Sequence, residues 1–289
     1  MAEIVCERDY KFELPAGVNI YRLRRPDITQ DTVRRVGGRF GLRPTVDSGA
    51  FILDARGIAY SEASAWGLRL FRRSGGWQYR HATRWQADDG KGHLIIDDEE
   101  AARLALDAIG RYALPAEPEL ERMRVERLHV AHAERRGTNH EERIVGVRVL
   151  FRRILDGLPA EGPGGKTVVY LDHERELTGI DHLWHDIESV HEPVRRLRPV
   201  EEALEEVRRR YGTGEGRVEV TGLRLGYFEL GWDEDQEYLQ PAYVVFLRLG
   251  SLDARFRMNA LVPVAAAVNA VGPIEPALPT REPQARRTG

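Results

Sequence analysis

Cysteine is almost missing from the chain. Cys6 stands alone, so no disulfide can form within the chain and no thiolate cluster can hold a metal. Lysine is nearly as scarce, with Lys11, Lys91 and Lys166 set against 40 arginines. That skew is the mark of a GC-rich, actinobacterial type of genome rather than of an arginine-based recognition surface. There is no excess of one charge: 43 basic residues face 46 acidic ones, a formal net charge of -3. Without a positive field to hold a polyanion, nucleic acid is not expected as the main partner. Long apolar runs are also absent. The longest, ALVPVAAAV at 260–268, contains a proline and falls far short of the roughly 20 residues a membrane span needs. The opening MAEIVCERDYKFELP is charged throughout and has no apolar segment of the kind that marks a secretory signal. A reducing cytoplasm is therefore the expected compartment, with no membrane partner.

What the chain does have is material for a core: 289 residues, 42% of them hydrophobic, enough for two ordinary domains or one large one. Three segments share a helical pattern of apolar residues closed by an aromatic. In ITQDTVRRVGGRFGL the pattern is Val33, Val36 and Phe40; in IDDEEAARLALDAIGRYAL it is Ala105, Ala108 and Tyr112; in RPVEEALEEVRRRYG it is Leu204, Val207 and Tyr211. Thr29, Asp97 and Pro199 suit helix starts, and Gly41 and Gly212 suit helix stops. The spacing predicts helices near 29–40, 98–112 and 199–211.

Each helix is followed by alternating β-branched and aromatic text. AFILDA, IAYSE, WGLRLFRRS and WQYRHAT follow the first; RVERLHVAHA, IVGVRVLFRRIL, KTVVYLDH and ELTGIDHLWHDI follow the second; RVEVTGLRLGYFEL, PAYVVFLRL and LDARFRMNALVPV follow the third. Turn signals lie at Ser74-Gly75-Gly76 and in WDEDQE at 232–237. The expected fold class is α+β, built as repeated units of a helix plus an antiparallel meander, each sheet covered by its helix. Within IVGVRVLFRRIL, Val145, Val147, Val149 and Phe151 are expected on the helix-covered face, with Gly146, Arg148, Leu150 and Arg152 opposite. The expected organisation is an N-terminal unit with the second helix over 1–114, a C-terminal sheet region with the third helix over 115–272, and a disordered tail over 273–289. LPAEPEL at 114–120 reads as a joint.

The run VLFRRILDGLPAEGPGGKTVVYLDHERELTGIDHLW, 149–184, and the segment GYFELGWDEDQEYLQPAYVVF, 226–246, resemble the PepSY-like and YycI/YycH-like domains of Gram-positive bacteria. The resemblance implies turns at Asp156-Gly157 and at Gly162 to Gly165, and an edge strand opened by Pro241. Relatives of that kind are regulatory, inhibitory or binding modules without a shared catalytic site.

Seven of the nine histidines lie at His129, His132, His140, His173, His182, His185 and His191. In DHLWHDIESVH, His182 and His185 have Asp181, Asp186, Glu188 and His191 nearby, ligand types that suit a transition metal. However, a spacing of three sends strand side chains to opposite faces, and no HExxH occurs. Neither a metal site nor a cofactor is expected. Gly162-Pro163-Gly164-Gly165-Lys166-Thr167 leads into a strand rather than a helix, so it does not make a phosphate loop. No G-x-S-x-G elbow supplies a nucleophile. The leading expectation is a noncatalytic binding or regulatory protein that recognises a protein or an amphipathic small molecule, with a homodimer left open. The alternative is a cofactor-independent cyclase or isomerase of secondary metabolism. Its acid–base residues would be His182, His185 and Tyr227, and its ligand walls Trp184, Trp232 and Tyr243.

Overall fold

The computed structural model describes residues 3–5, 10–43, 49–62, 66–81, 84, 93–112, 114, 119–133, 140–211, 217–250, 257–272 and 274. Cys6, Gly212, the middle of the LPAEPEL joint and all of the expected tail except Ile274 lie outside the described residues. The three helices fall where the apolar spacing predicts: α1 at Gln30–Arg39, α2 at Asp98–Arg111 and α3 at Val200–Tyr211. Thr29 caps α1 by accepting from Thr32 N at 3.3 Å, and Asp97 caps α2 by accepting from Glu100 N at 2.7 Å. Each cap satisfies one of the backbone donors that a helix start leaves without a partner.

The strands in chain order are β1 Glu3–Val5, β2 Asn19–Leu23, β3 Gly49–Leu53, β4 Gly57–Glu62, β5 Trp66–Phe71, β6 Trp77–His81, β7 Leu120–Ala133 and β8 His140–Leu155. They continue as β9 Leu158–Glu161, β10 Lys166–Asp172, β11 Leu177–Leu183, β12 Ile187–Pro193, β13 Arg217–Phe228, β14 Tyr238–Leu239, β15 Pro241–Gly250 and β16 Arg257–Ala265. Among the described residues sixteen strands far outweigh the three helices.

This sheet-dominated architecture corrects the expectation of repeated helix-plus-meander units. The strands that follow α1 do not close a sheet of their own. Instead β6 pairs antiparallel with β11, Ile180 lying opposite Tyr79, so two of the expected units share one sheet. Its order is β7-β8-β10-β11-β6-β5-β4-β3, and the β8–β9 connection carries it on to β13, β15 and β16, making thirteen hydrogen-bonded strands with β1 included. The pairings of β13 with β9 and with β1 are parallel, so the whole is mixed. The strands β12, β2 and β14 form a separate small sheet.

Two cores result. In the first, α1 packs on β4 and β5 and α2 on β7, β8 and β10, so that Val33 and Val36 of α1 and Ala101, Ala105, Ala108 and Ile109 of α2 join one buried cluster with Tyr60, Leu68, Val147, Val149 and Val169 of the first sheet part. Val200, Ala203 and Val207 of α3 bury with Val218, Leu225, Tyr227, Val245 and Val262 of the second. Small alanines on α2 let its backbone lie close to the strands.

The expected faces of β8 hold from Val147 onward. Upstream the β7 register shifts: Gly146 lies opposite Leu128, yet Ile144 lies opposite His129. A bulge at Val145 re-aims the chain, and Ile144 packs against the core where Val145 was expected. The implied turn at Asp156-Gly157 is present with both φ positive, 50° and 75°, the pattern of a two-residue hairpin turn. Pro241 opens β15, but β15 lies between β13 and β16 and is not an edge. A proline is tolerated there because the first residue of a strand can forgo its ladder donor.

Candidate functional site

His182 lies on β11 between Thr167 of β10 and Trp77 of β6. Its Nδ1 is 2.9 Å from Thr167 Oγ1, and its ring is 5.3 Å from that of Trp77 and 5.2 Å from that of Trp184. Burial, reinforced by the Arg153 and Arg39 charges, pushes its pKa down to about 3. A neutral imidazole with so low a pKa is a poor proton carrier near neutrality.

His185 turns the other way, just beyond the end of β11, and reaches the second sheet part. Its backbone N donates to Glu229 Oε1 at 2.6 Å, and its Nδ1 lies 3.1 Å from the same oxygen. Both side chains are sealed, at 2% and 0% exposure. Arg153 on β8 completes the group. Its guanidinium lies 4.9 Å over the Trp184 ring, donates to His185 O at 3.2 Å, and comes within 3.9 Å of Glu229 Oε2. Trp184 Nε1, His185 Nε2 and Glu229 Oε2 are buried without a hydrogen-bond partner among the described residues. A His–Glu pair at this distance has the form of an acid–base dyad, but here it is packed shut.

The glycine turn after β9 does the packing. A Cβ on Gly164 would lie 2.3 Å from Leu230 O and 2.8 Å from Glu229 Cγ; one on Gly165 would lie 2.3 Å from the Ala160 Cβ. Only glycine lets this turn close over the carboxylate. Lys166 fastens the turn by donating to Ala160 O at 2.8 Å and Gly164 O at 3.0 Å. Burial brings its pKa down to about 8 against the opposing pull of Glu161 and Glu229. Sequence reasoning missed Glu229 and Arg153. The available signal was one acid, Glu229, inside the apolar run GYFELGW.

The other nominated residues lie elsewhere. The Tyr227 hydroxyl is 2.7 Å from both Asn19 O and Asp156 Oδ2, and the Tyr21 hydroxyl donates to the same Asp156 carboxylate at 2.8 Å. Burial, with Asp156 close by, raises the Tyr227 pKa far above the ordinary phenol range. The Tyr243 hydroxyl donates to Arg198 O at 2.7 Å, and its ring meets Phe12 at 5.6 Å. Trp232 packs on Phe71 at 4.6 Å and comes close to Gly76, where a Cβ would approach its ring to 2.8 Å. Trp184 and Trp232 thus border the same seam as His182 and His185, while Tyr227 and Tyr243 belong to the second core. Among the described residues no three His, Cys, Asp or Glu side chains gather as a metal-binding group, and no helix is long and apolar enough to cross a membrane.

The open surface near these residues is a cleft of about 490 Å³ lined by Arg22, Arg25, Arg73, Glu188, Asp235 and Glu237 together with Leu23, Pro26 and Gln236. It lies where the small sheet, the β5–β6 turn and the 232–237 loop meet. Arg22 pairs with Glu188 at 3.4 Å and Arg73 with Asp235 at 3.7 Å. The loop is held in place by Arg56, whose guanidinium lies 2.6 Å from Asp233, and by the Leu23 N to Glu237 O bond at 2.9 Å.

No protein-family model matches the chain, and no curated protein matches it in sequence. Among solved structures it is similar to an uncharacterized protein from Eubacterium rectale, at 12% identity and a TM-score of 0.50, over 88% of this chain and 84% of that one. At that identity the likeness concerns the fold alone.

Proposed function

We propose that the chain is a noncatalytic binding protein, and that its charged cleft takes an extended segment of a protein partner carrying both positive and negative side chains. The observation that carries this reading is a contrast. His185, Glu229 and Tyr227 spend their polar atoms inside packed cores and His182 is half-buried against Thr167, whereas the cleft offers three guanidiniums and three carboxylates at the surface. Two guanidinium–carboxylate pairs inside the cleft are half-exposed, so exchanging them for pairs with a partner costs little. A volume of about 490 Å³ lies within the usual range of ligand clefts. The regulatory and binding character of the PepSY-like and YycI/YycH-like domains agrees with this reading.

The test is a calorimetric and NMR titration with a short peptide of alternating lysine and glutamate. Saturable binding is expected, with shifts confined to residues 22–26, 73, 188 and 235–237. The double variant Arg25→Ala/Glu237→Ala should weaken it by about tenfold, equivalent to about 1.4 kcal/mol. A saturable amphipathic carboxylate whose shifts instead fall on His182 and Tyr227 would overturn the proposal in favour of a small-molecule site.

A further inference from the structure

The long sheet ends on strands that could pair with another chain, and most of these ends are defended. The register of β7 shifts twice and the strand is rich in Arg and Glu. Pro263 interrupts the donors of β16. In the small sheet, β12 carries two register shifts and ends in Pro193, while β14 has only two residues. Bulges, charges, prolines and shortness are the devices that keep edges from pairing.

Among the described residues the sheet ends at β3, GAFIL, whose own residues carry none of them. Its pairing with β4 runs without a register shift from Gly49 opposite Glu62 to Leu53 opposite Ile58. It contains no charge and no proline, and Ile52 and Leu53 are 54% and 58% exposed. We propose that β3 is the interface of a homodimer, in which two copies pair antiparallel about a two-fold axis at Phe51.

The backbone and the sequence both select this partner and this register. The Asp54 N to Gly57 O bond at 3.1 Å fixes the phase of the hairpin, because bonded and non-bonded pairs alternate along an antiparallel ladder. Counting back from it, Ile52 bonds inward to β4, while Leu53, Phe51 and Gly49 direct their N–H and C=O outward. An antiparallel pair centred on Phe51 therefore has matching donors and acceptors at all three outward residues. The residue sizes match too. In that register the large residues Ile52 and Leu53 of one copy stand opposite Ala50 and Gly49 of the other, at both ends, as a self-complementary interface requires. A parallel pairing would set large against large. With no charge between 49 and 53, a second copy brings no like-charge opposition.

Sedimentation velocity over a concentration series of the full chain, up to its solubility, tests the proposal with two variants. Leu53→Pro removes only an outward donor and leaves the β4 ladder intact. Ile52→Lys places a charge on the edge as natural sheets do. The wild-type chain is expected to show a monomer–dimer equilibrium that each variant weakens at least tenfold, with circular dichroism unchanged. A wild-type chain that remains monomeric throughout overturns the proposal, whether because another protein occupies the edge or because nothing does. A dimer whose affinity stays within threefold in either folded variant also overturns it, since the interface would then lie elsewhere.

Discussion

A histidine is informative here because of where its proton cannot go. His182 has a pKa near 3, below the ordinary 6.5, because burial between Trp77 and Trp184 penalises the charged ring. In the unfolded chain the same ring protonates near its ordinary value. Between about pH 6.5 and pH 3 the unfolded state therefore binds a proton that the folded state refuses. The stabilising contribution is complete above pH 6.5 and is lost as pH falls through this window. From about pH 7.5 to pH 5 the loss should be up to roughly 2 kcal/mol. Urea midpoints at about pH 7.5 and pH 5, compared between the wild type and His182→Gln, measure it. The variant should show the smaller decline; parallel declines would mean that water reaches the ring. In the sequence this residue reads as one of a histidine cluster. The cluster disperses because His182 lies within a strand while His185 lies just past its end, a boundary that side-chain spacing alone does not reveal.

The helices were the most legible elements, because one apolar stripe at a period of 3.6 suffices to place each of them. Asp97 illustrates how local that information is: its Oδ1 accepts from Glu100 N at 2.7 Å, one turn ahead of the buried face of Ala101, Ala105 and Ala108. Asp97→Ala should cost about 1 kcal/mol in thermal or urea unfolding, and Asp97→Ser much less; equal losses would show that packing rather than capping sets the start of α2. The long strands were legible for the corresponding reason, their period of two. The short ones were not. The text of β2, β9 and β12 is four to seven residues long, and β12 is nearly all exposed, so it has no apolar alternation to read. Strand order was less legible still. Nothing in WQYRH or LTGIDHL states that β6 will pair with β11 across a hundred residues, and that one pairing turns expected separate units into a single continuous sheet.

At the scale of the whole molecule, the two larger cores meet at a buried polar junction around Glu229, beside a second one in which Glu161 sits between Arg152 of β8 and Arg224 of β13. Glu229 follows β13 of the second sheet part, while His185, Arg153 and the Gly164-Gly165 turn reach it from the first. Such a group stabilises little relative to an apolar seam, because desolvating the carboxylate and guanidinium offsets most of their attraction. Removing one member is another matter, since Arg153, at 11% exposure, would be left buried without its carboxylate. Glu229→Ala should therefore destabilise the fold by about 3–5 kcal/mol, and the loss should fall on the coupling between the cores. Trp77 and Trp184 report the first core by fluorescence, and far-ultraviolet circular dichroism reports both sheet parts. In the wild type the two urea transitions should coincide, as cooperative unfolding requires. In Glu229→Ala they should separate, while Glu229→Gln, which keeps an oxygen for the His185 N–H, should fall between. If the transitions coincide in all three proteins with midpoints unchanged, the junction is a passenger and the other links, the β9–β13 pairing and the Glu161 ion pairs among them, couple the two cores.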